Sequence, residues 1–230
     1  MIDEDRPYTH YMAQKKQRTH AKERVPDRSG AGTGWRLFLA IPLPDHIRSI
    51  VKDLTNQLAE CDLPLRLVDP NLAHITLHFL GETAPERAEL LSLALPAAMA
   101  NRQRLRLTTT GLGVFPTERK PRVVWLGLAG DIEPLVAIHS ALGNVLRTHN
   151  FPVESRSLRP HVTLARVRDD APSSLADDIK SVLTSDSIAA IMPRDPRSFI
   201  AGEVTLMRSH LEKNGPRYET IKTLKLGERR

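Results

Sequence analysis

Apolar positions in this chain switch repeatedly between a strand rhythm and a helix rhythm, beginning near residue 35. Trp35-Arg36-Leu37-Phe38-Leu39-Ala40-Ile41 is a dense apolar run suited to a strand. Pro44 then opens a helix to about Glu60, with Ile47, Ile50, Val51, Leu54 and Leu58 on one face. The next strand ends at Gly81, and a second helix is expected over about Pro85 to Met99. Leu105-Arg106-Leu107-Thr108-Thr109-Thr110 alternates as a half-buried strand does. A turn-rich stretch from Gly111 to Pro121 leads to a strand over Arg122 to Leu128. A third helix, about Ile132 to His149, carries Leu135, Ile138, Leu142 and Leu146 on one side. Another strand and a short helix near Ser174 to Leu183 follow. Two strands, about Phe199 to Arg208 and Arg217 to Leu226, flank a turn at Asn214-Gly215.

The pattern repeats. His74-Ile75-Thr76-Leu77 and His161-Val162-Thr163-Leu164 stand 87 residues apart (161 − 74 = 87). The strands opening at Trp35 and Arg122 have the same separation (122 − 35 = 87). Each leads through a helix to a His-x-Thr strand, so the chain reads as two copies of one strand–helix–strand unit. The expected class is α+β, with two pseudo-symmetric lobes of separate antiparallel-rich sheets and outer helices. The lobes would face each other across a central groove.

Strand side chains alternate faces, so His and Thr of each motif point one way while Ile or Val and Leu point into a core. One such strand alone is ordinarily a packed strand with a satisfied histidine. Two copies with matching flanks point instead to chemistry. An imidazole titrates near neutrality, so one histidine can give a proton while the other takes one. The threonine hydroxyls and a nearby guanidinium would hold phosphate oxygens. His78, four residues after His74, raises the question of a metal. The run lacks the glutamate of a helical zinc motif, and no Cys or acidic cluster offers further ligands, so neither metal nor cofactor is expected. On an unbroken strand His78 would share the face of His74 and Thr76, at the groove or its rim.

Composition adds a partner and a setting. The formal charge of +6 makes nucleic acid the first candidate. Residues 1–34 read as a disordered basic arm and linker, with Lys15, Lys16, Arg18, Lys22 and Arg24 and a closing Gly-rich run; residues 35–230 form the folded domain. A lone cysteine, Cys61, suits a reducing compartment, and no apolar run has spanning length, so a cytoplasmic protein is expected. Nothing in the pattern demands a second subunit, and a monomer is expected.

With both motifs in place the chain resembles the two-histidine phosphoesterase superfamily, and within it the RNA 2′,3′-cyclic phosphodiesterases, also called 2′-5′ RNA ligases. The resemblance runs from about Trp35 to Leu226. It rests on Asn71-Leu72-Ala73-His74-Ile75-Thr76-Leu77-His78-Phe79-Leu80-Gly81-Glu82 and on Arg159-Pro160-His161-Val162-Thr163-Leu164-Ala165-Arg166-Val167. Arg36 to Ile41, Gly111 to Pro116, Pro121 to Gly127 and Gly215 to Glu219 support it. It implies His74 as proton donor, His161 as proton acceptor, Thr76 and Thr163 as phosphate-positioning groups, and Arg166 beside the phosphate. His78, where the family commonly has a lysine, would contact the nucleotide. Leu67 stands where an aromatic is common. The implied reaction opens RNA 2′,3′-cyclic phosphate ends to 2′-phosphates, with ATP-independent 2′-5′ ligation as a related activity. Alternatives are a small cyclic nucleotide or a 2′-5′ oligoadenylate as substrate, or a non-catalytic RNA-binding module. Spacing alone does not say which histidine is the donor.

Overall fold

The computed structural model describes residues 34–172, 174–191, 197–213 and 215–228. The arm expected over residues 1–34 lies, apart from Gly34, outside the described residues, as does Asn214 of the C-terminal turn.

Strand β1 (Trp35–Pro42) is almost wholly apolar because both of its faces are covered. Leu37, Leu39 and Ile41 enter the main core, while Phe38 and Ala40 are buried on the opposite face. Helix α1 (Asp45–Glu60) starts directly after Pro44 and buries Ile47, Ile50, Val51, Leu54 and Leu58, the face read from its periodicity. A short strand β2 (Leu65–Leu67), missed by the pattern reading, precedes a 3-10 turn over Pro70–Leu72, where the Asn71 N–H donates to Asp69 Oδ1 at 2.9 Å. Then come β3 (His74–Thr83) and α2 (Pro85–Ala94). A 3-10 turn over Leu95–Met99 replaces the end of the expected helix, since Pro96 has no N–H to continue the α ladder.

Strands β4 (Leu105–Thr117) and β5 (Lys120–Gly130) are followed by α3 (Ile132–Thr148), which buries Leu135, Ile138, Leu142 and Leu146 as expected. After β6 (His161–Val167) come α4 (Leu175–Leu183), α5 (Asp186–Ile191), β7 (Ser198–Ala201), β8 (Glu203–Glu212) and β9 (Gly215–Lys225). Among the described residues no helix is long and apolar enough to cross a membrane.

The strand order is β7-β4-β5-β6-β3-β1-β8-β9, with β2 also on β6, and every strand pairing is antiparallel. One lobe is β3-β1-β8-β9 and the other is β6-β5-β4-β7 with β2. The sheets expected to be separate are joined through one residue pair, Ile75 with Val162. Those two residues occupy the same place in the two motifs, so the pseudo-two-fold axis passes through their pairing.

Of the turn-rich stretch expected over Gly111 to Pro121, only Glu118-Arg119 is a turn, and the rest is strand. β4 and β5 run as a long hairpin that pairs Gly113 with Trp125 and Thr117 with Lys120. Gly113 is there for space: a Cβ on it would fall 2.3 Å from the Trp125 indole. A glycine that makes room for an aromatic across the strand gives the same local signal as a turn glycine.

The strand expected over Phe199 to Arg208 is broken at Gly202. β7 pairs with β4 in one lobe, whereas β8 pairs with β1 in the other. In a flat sheet these positions would lie six strand spacings apart, roughly 29 Å at about 4.8 Å each. A single linking residue cannot span that, so the sheet curls. Hydrogen bonds from Leu226 N to Gly202 O (2.9 Å) and from Gly227 N to Arg102 O (2.7 Å) tie the approaching edges together.

Candidate functional site

The single Ile75–Val162 pairing decides where the candidate site residues meet. In an antiparallel pair the flanking positions cross over, so His74 lies opposite Thr163 and Thr76 opposite His161. Ile75 and Val162 are fully buried in the core, and all four flanking side chains are half-buried on the other face. The two motifs therefore form one polar cluster where the lobes meet. Among the described residues neither threonine hydroxyl has a hydrogen-bond partner, which leaves both available to a ligand.

Each imidazole is held in the same way. His74 Nδ1 lies 2.7 Å from the Leu72 carbonyl, and His161 Nδ1 lies 2.6 Å from the Arg159 carbonyl. A carbonyl only accepts, so Nδ1 carries the hydrogen in both rings and Nε2 is the nitrogen that gains or loses a proton. Aromatic rings close around them. Phe38 and Tyr218 lie 5.0 and 5.5 Å from His74, and Phe115 meets His161 edge-on at 4.9 Å.

This packing sets the electrostatics. Burial pushes the His74 pKa below 6.5; the bond to Leu72 opposes this, while the charges of Arg166 and His161 add to it. Burial also lowers His161, with the Arg159 carbonyl opposing and Arg166 adding. Both rings are thus neutral near pH 7 in the unliganded protein. An anion beside them would reverse the Arg166 contribution and favour a protonated ring. Burial raises the Tyr218 hydroxyl, and Arg166 partly offsets that.

Arg166 reaches this face through a bulge that sequence periodicity does not show. The β5–β6 register slips between Val124 and Trp125, leaving Leu164 as the extra residue. Ala165 then enters the core and Arg166 turns outward. The first motif has the same defect: β1–β3 slips between Leu39 and Ala40, leaving Leu77 extra. Phe79 (79 + 87 = 166) is the counterpart of Arg166 and is 53% exposed beside Phe38. Strict alternation would put both on the core face, but a bulge inverts the faces beyond it.

The same bulge overturns the expectation for His78. It is 3% exposed and faces α3, not the groove. Its Nε2 lies 2.9 Å from the His139 carbonyl, and its ring stacks on that of His139 at 4.0 Å. Gly143 on α3 lies beside it, and a Cβ there would be 3.4 Å from His78 Cε1. His78 is therefore a packed histidine, parted from His74 by the sheet. Among the described residues no group of three or more His, Cys, Asp or Glu is placed to hold a metal ion.

Burial, His78 and Arg147 together lower His139 to about 4, and burial likewise lowers His78. Between those folded-state values and 6.5 the unfolded chain binds more protons, so stability falls as pH drops through that window. Thermal denaturation should give a lower Tm at pH 5 than at pH 7.5, and His139→Gln should flatten the dependence. A Tm that rises on acidification would contradict the buried, neutral stack.

The repeat is also less regular than the equal offsets imply. His74 pairs with Pro42 but His161 pairs with Gly127, a difference of 85 (127 − 42 = 85) where the motifs differ by 87. The two-residue slip preserves faces because strand side chains repeat every two residues.

Comparison with known proteins agrees with this architecture. A model of the 2′-5′ RNA ligase superfamily matches residues 37–213. The chain is 32% identical over 188 residues to an RNA 2′,3′-cyclic phosphodiesterase of Methanocaldococcus jannaschii, covering 81% of this chain and 98% of that protein. It is 30% identical over 172 residues to one from Aeropyrum pernix, covering 75% and 92%. Crystalline E. coli LigT in complex with NADP+ superposes with a TM-score of 0.61 and 28% identity, covering 85% of this chain and 99% of LigT. This chain belongs to the 2′-5′ RNA ligase superfamily.

Proposed function

We propose that this protein is an RNA 2′,3′-cyclic phosphodiesterase that opens cyclic phosphate ends to 2′-phosphates with two histidines and no metal. The observation that carries the reading is the crossed cluster of His74, Thr76, His161 and Thr163, with both Nδ1 atoms tied to carbonyls. Both Nε2 atoms are thereby available on one face. Its relatives' printed names supply the substrate class.

The family resemblance assigns the roles. His161 Nε2 takes a proton from water as the water oxygen bonds to phosphorus. The phosphorus–O3′ bond breaks, and protonated His74 Nε2 delivers a proton to O3′. Thr76, Thr163 and Arg166 hold the non-bridging oxygens and offset charge in the transition state. Each turnover exchanges the two protonation states, and solvent restores them. Replacing water by a 5′-hydroxyl gives a 2′-5′ linkage through the same proton transfers, without ATP.

The test is an RNA ending in a 2′,3′-cyclic phosphate, incubated with excess EDTA. Phosphorus NMR should show a 2′-phosphate as the product. A 3′-phosphate product would overturn the assignment of the leaving oxygen, and loss of activity in EDTA would overturn the metal-free mechanism.

A further inference from the structure

Arg66 forms an unusual pairing in the sheet. It is the central residue of β2, and its cross-strand partner on β6 is Arg166. Cross-strand partners share a face, with Cβ atoms about 5 Å apart, and like charges placed so are unfavourable. Leu65 and Leu67 turn inward to the core, leaving Arg66 exposed on the face that Arg166 shares with the histidines. Nearby arginines have acidic partners: Arg122 lies 3.8 Å from Asp169, and Arg168 lies 2.9 Å from Asp170. Among the described residues the Arg66 side chain has no ion-pair or hydrogen-bond partner. The fold thus roots the Arg66 side chain across the strand pair from that of Arg166 at the edge of the proposed site. β2 occupies the β6 edge just beyond the Ile75–Val162 pair, where the lobes diverge. An anion between or beside the two arginines removes their repulsion.

We propose that Arg66 binds the phosphodiester on the 5′ side of the terminal nucleotide while Arg166 attends the cyclic phosphate. This rests on the cyclic-phosphate reading above and deepens it. Every RNA end carries that 5′ phosphodiester, whereas a nucleoside 2′,3′-cyclic monophosphate lacks it. Arg66 is then a specificity residue that selects polynucleotide ends over mononucleotides.

The experiment compares wild type, Arg66→Ala and Arg66→Lys on a short oligoribonucleotide with a cyclic end and on nucleoside 2′,3′-cyclic monophosphate. For Arg66→Ala the ratio of kcat/KM on the oligonucleotide to that on the mononucleotide should fall roughly tenfold, mainly through KM, with partial recovery in Arg66→Lys. Binding of the 2′-phosphate-ended oligonucleotide, measured against salt, should lose about one unit of log–log slope in Arg66→Ala. An unchanged ratio, or equal losses on both substrates, overturns the proposal. If wild type hydrolyses neither substrate, the functional reading fails separately, and an unchanged salt slope still overturns the role of Arg66.

Discussion

His161→Ala should slow hydrolysis of a cyclic phosphate end by about 10²- to 10⁴-fold, the range for a positioned general acid or base. His74→Ala should do the same. Because the proposed proton exchange needs both rings, the double variant should be little slower than either single variant. The fold should survive, since both side chains are only half-buried and neither motif's core face is touched. His161→Ala with wild-type kcat/KM, and unchanged circular dichroism, would sink the two-histidine mechanism.

Burial and Arg166 hold both imidazoles below 6.5. The two limbs of the kcat/KM profile, which report the free enzyme, should therefore be displaced to the acid side of that value. The limbs belong to the coupled pair and not to either ring alone.

Arg166→Ala should bring the second large loss, about 10²- to 10³-fold, comparable to removing one oxyanion donor elsewhere. Its diagnostic is the pH profile. Arg166 depresses both histidines, so its removal should let both rise and move both limbs to higher pH. Arg166→Lys retains the charge and should leave the limbs nearly in place, while lacking the planar two-point fork that the proposed phosphate contact would use. A loss of rate in Arg166→Ala with the limbs fixed would mean that Arg166 does not act on the histidines.

Much of the framework was legible in the residues. The 3.6 periodicity of α1 and α3 identified the faces that are buried, because apolar stripes on helices have one place to go. The two His-x-Thr strands and their paired faces were equally plain. Position by position the reading failed where strands depart from period two. A one-residue bulge at Leu77 moved His78 off the face expected for it, and one at Leu164 put Arg166 on the histidine face, where the family resemblance but not strict alternation places it. A bulge is a property of two strands together and leaves no mark in either alone. Gly113 misled for a related reason: Trp125, which it accommodates, lies on a different strand.

The sequence by itself determined that two histidines and two threonines would stand on equivalent strand faces, each with a core behind it. Local periodicity and an internal repeat suffice for that, since they depend only on residue order. Only the tertiary structure decided that the equivalent strands meet at one residue pair on a pseudo-two-fold axis, crossing His74 to Thr163 and His161 to Thr76. It also decided that Arg166 joins them and His78 does not, and that Arg66 is set against Arg166. Register between strands far apart in sequence is chosen by packing of the whole sheet against its helices. Two repeated tetrapeptides became one site through that choice.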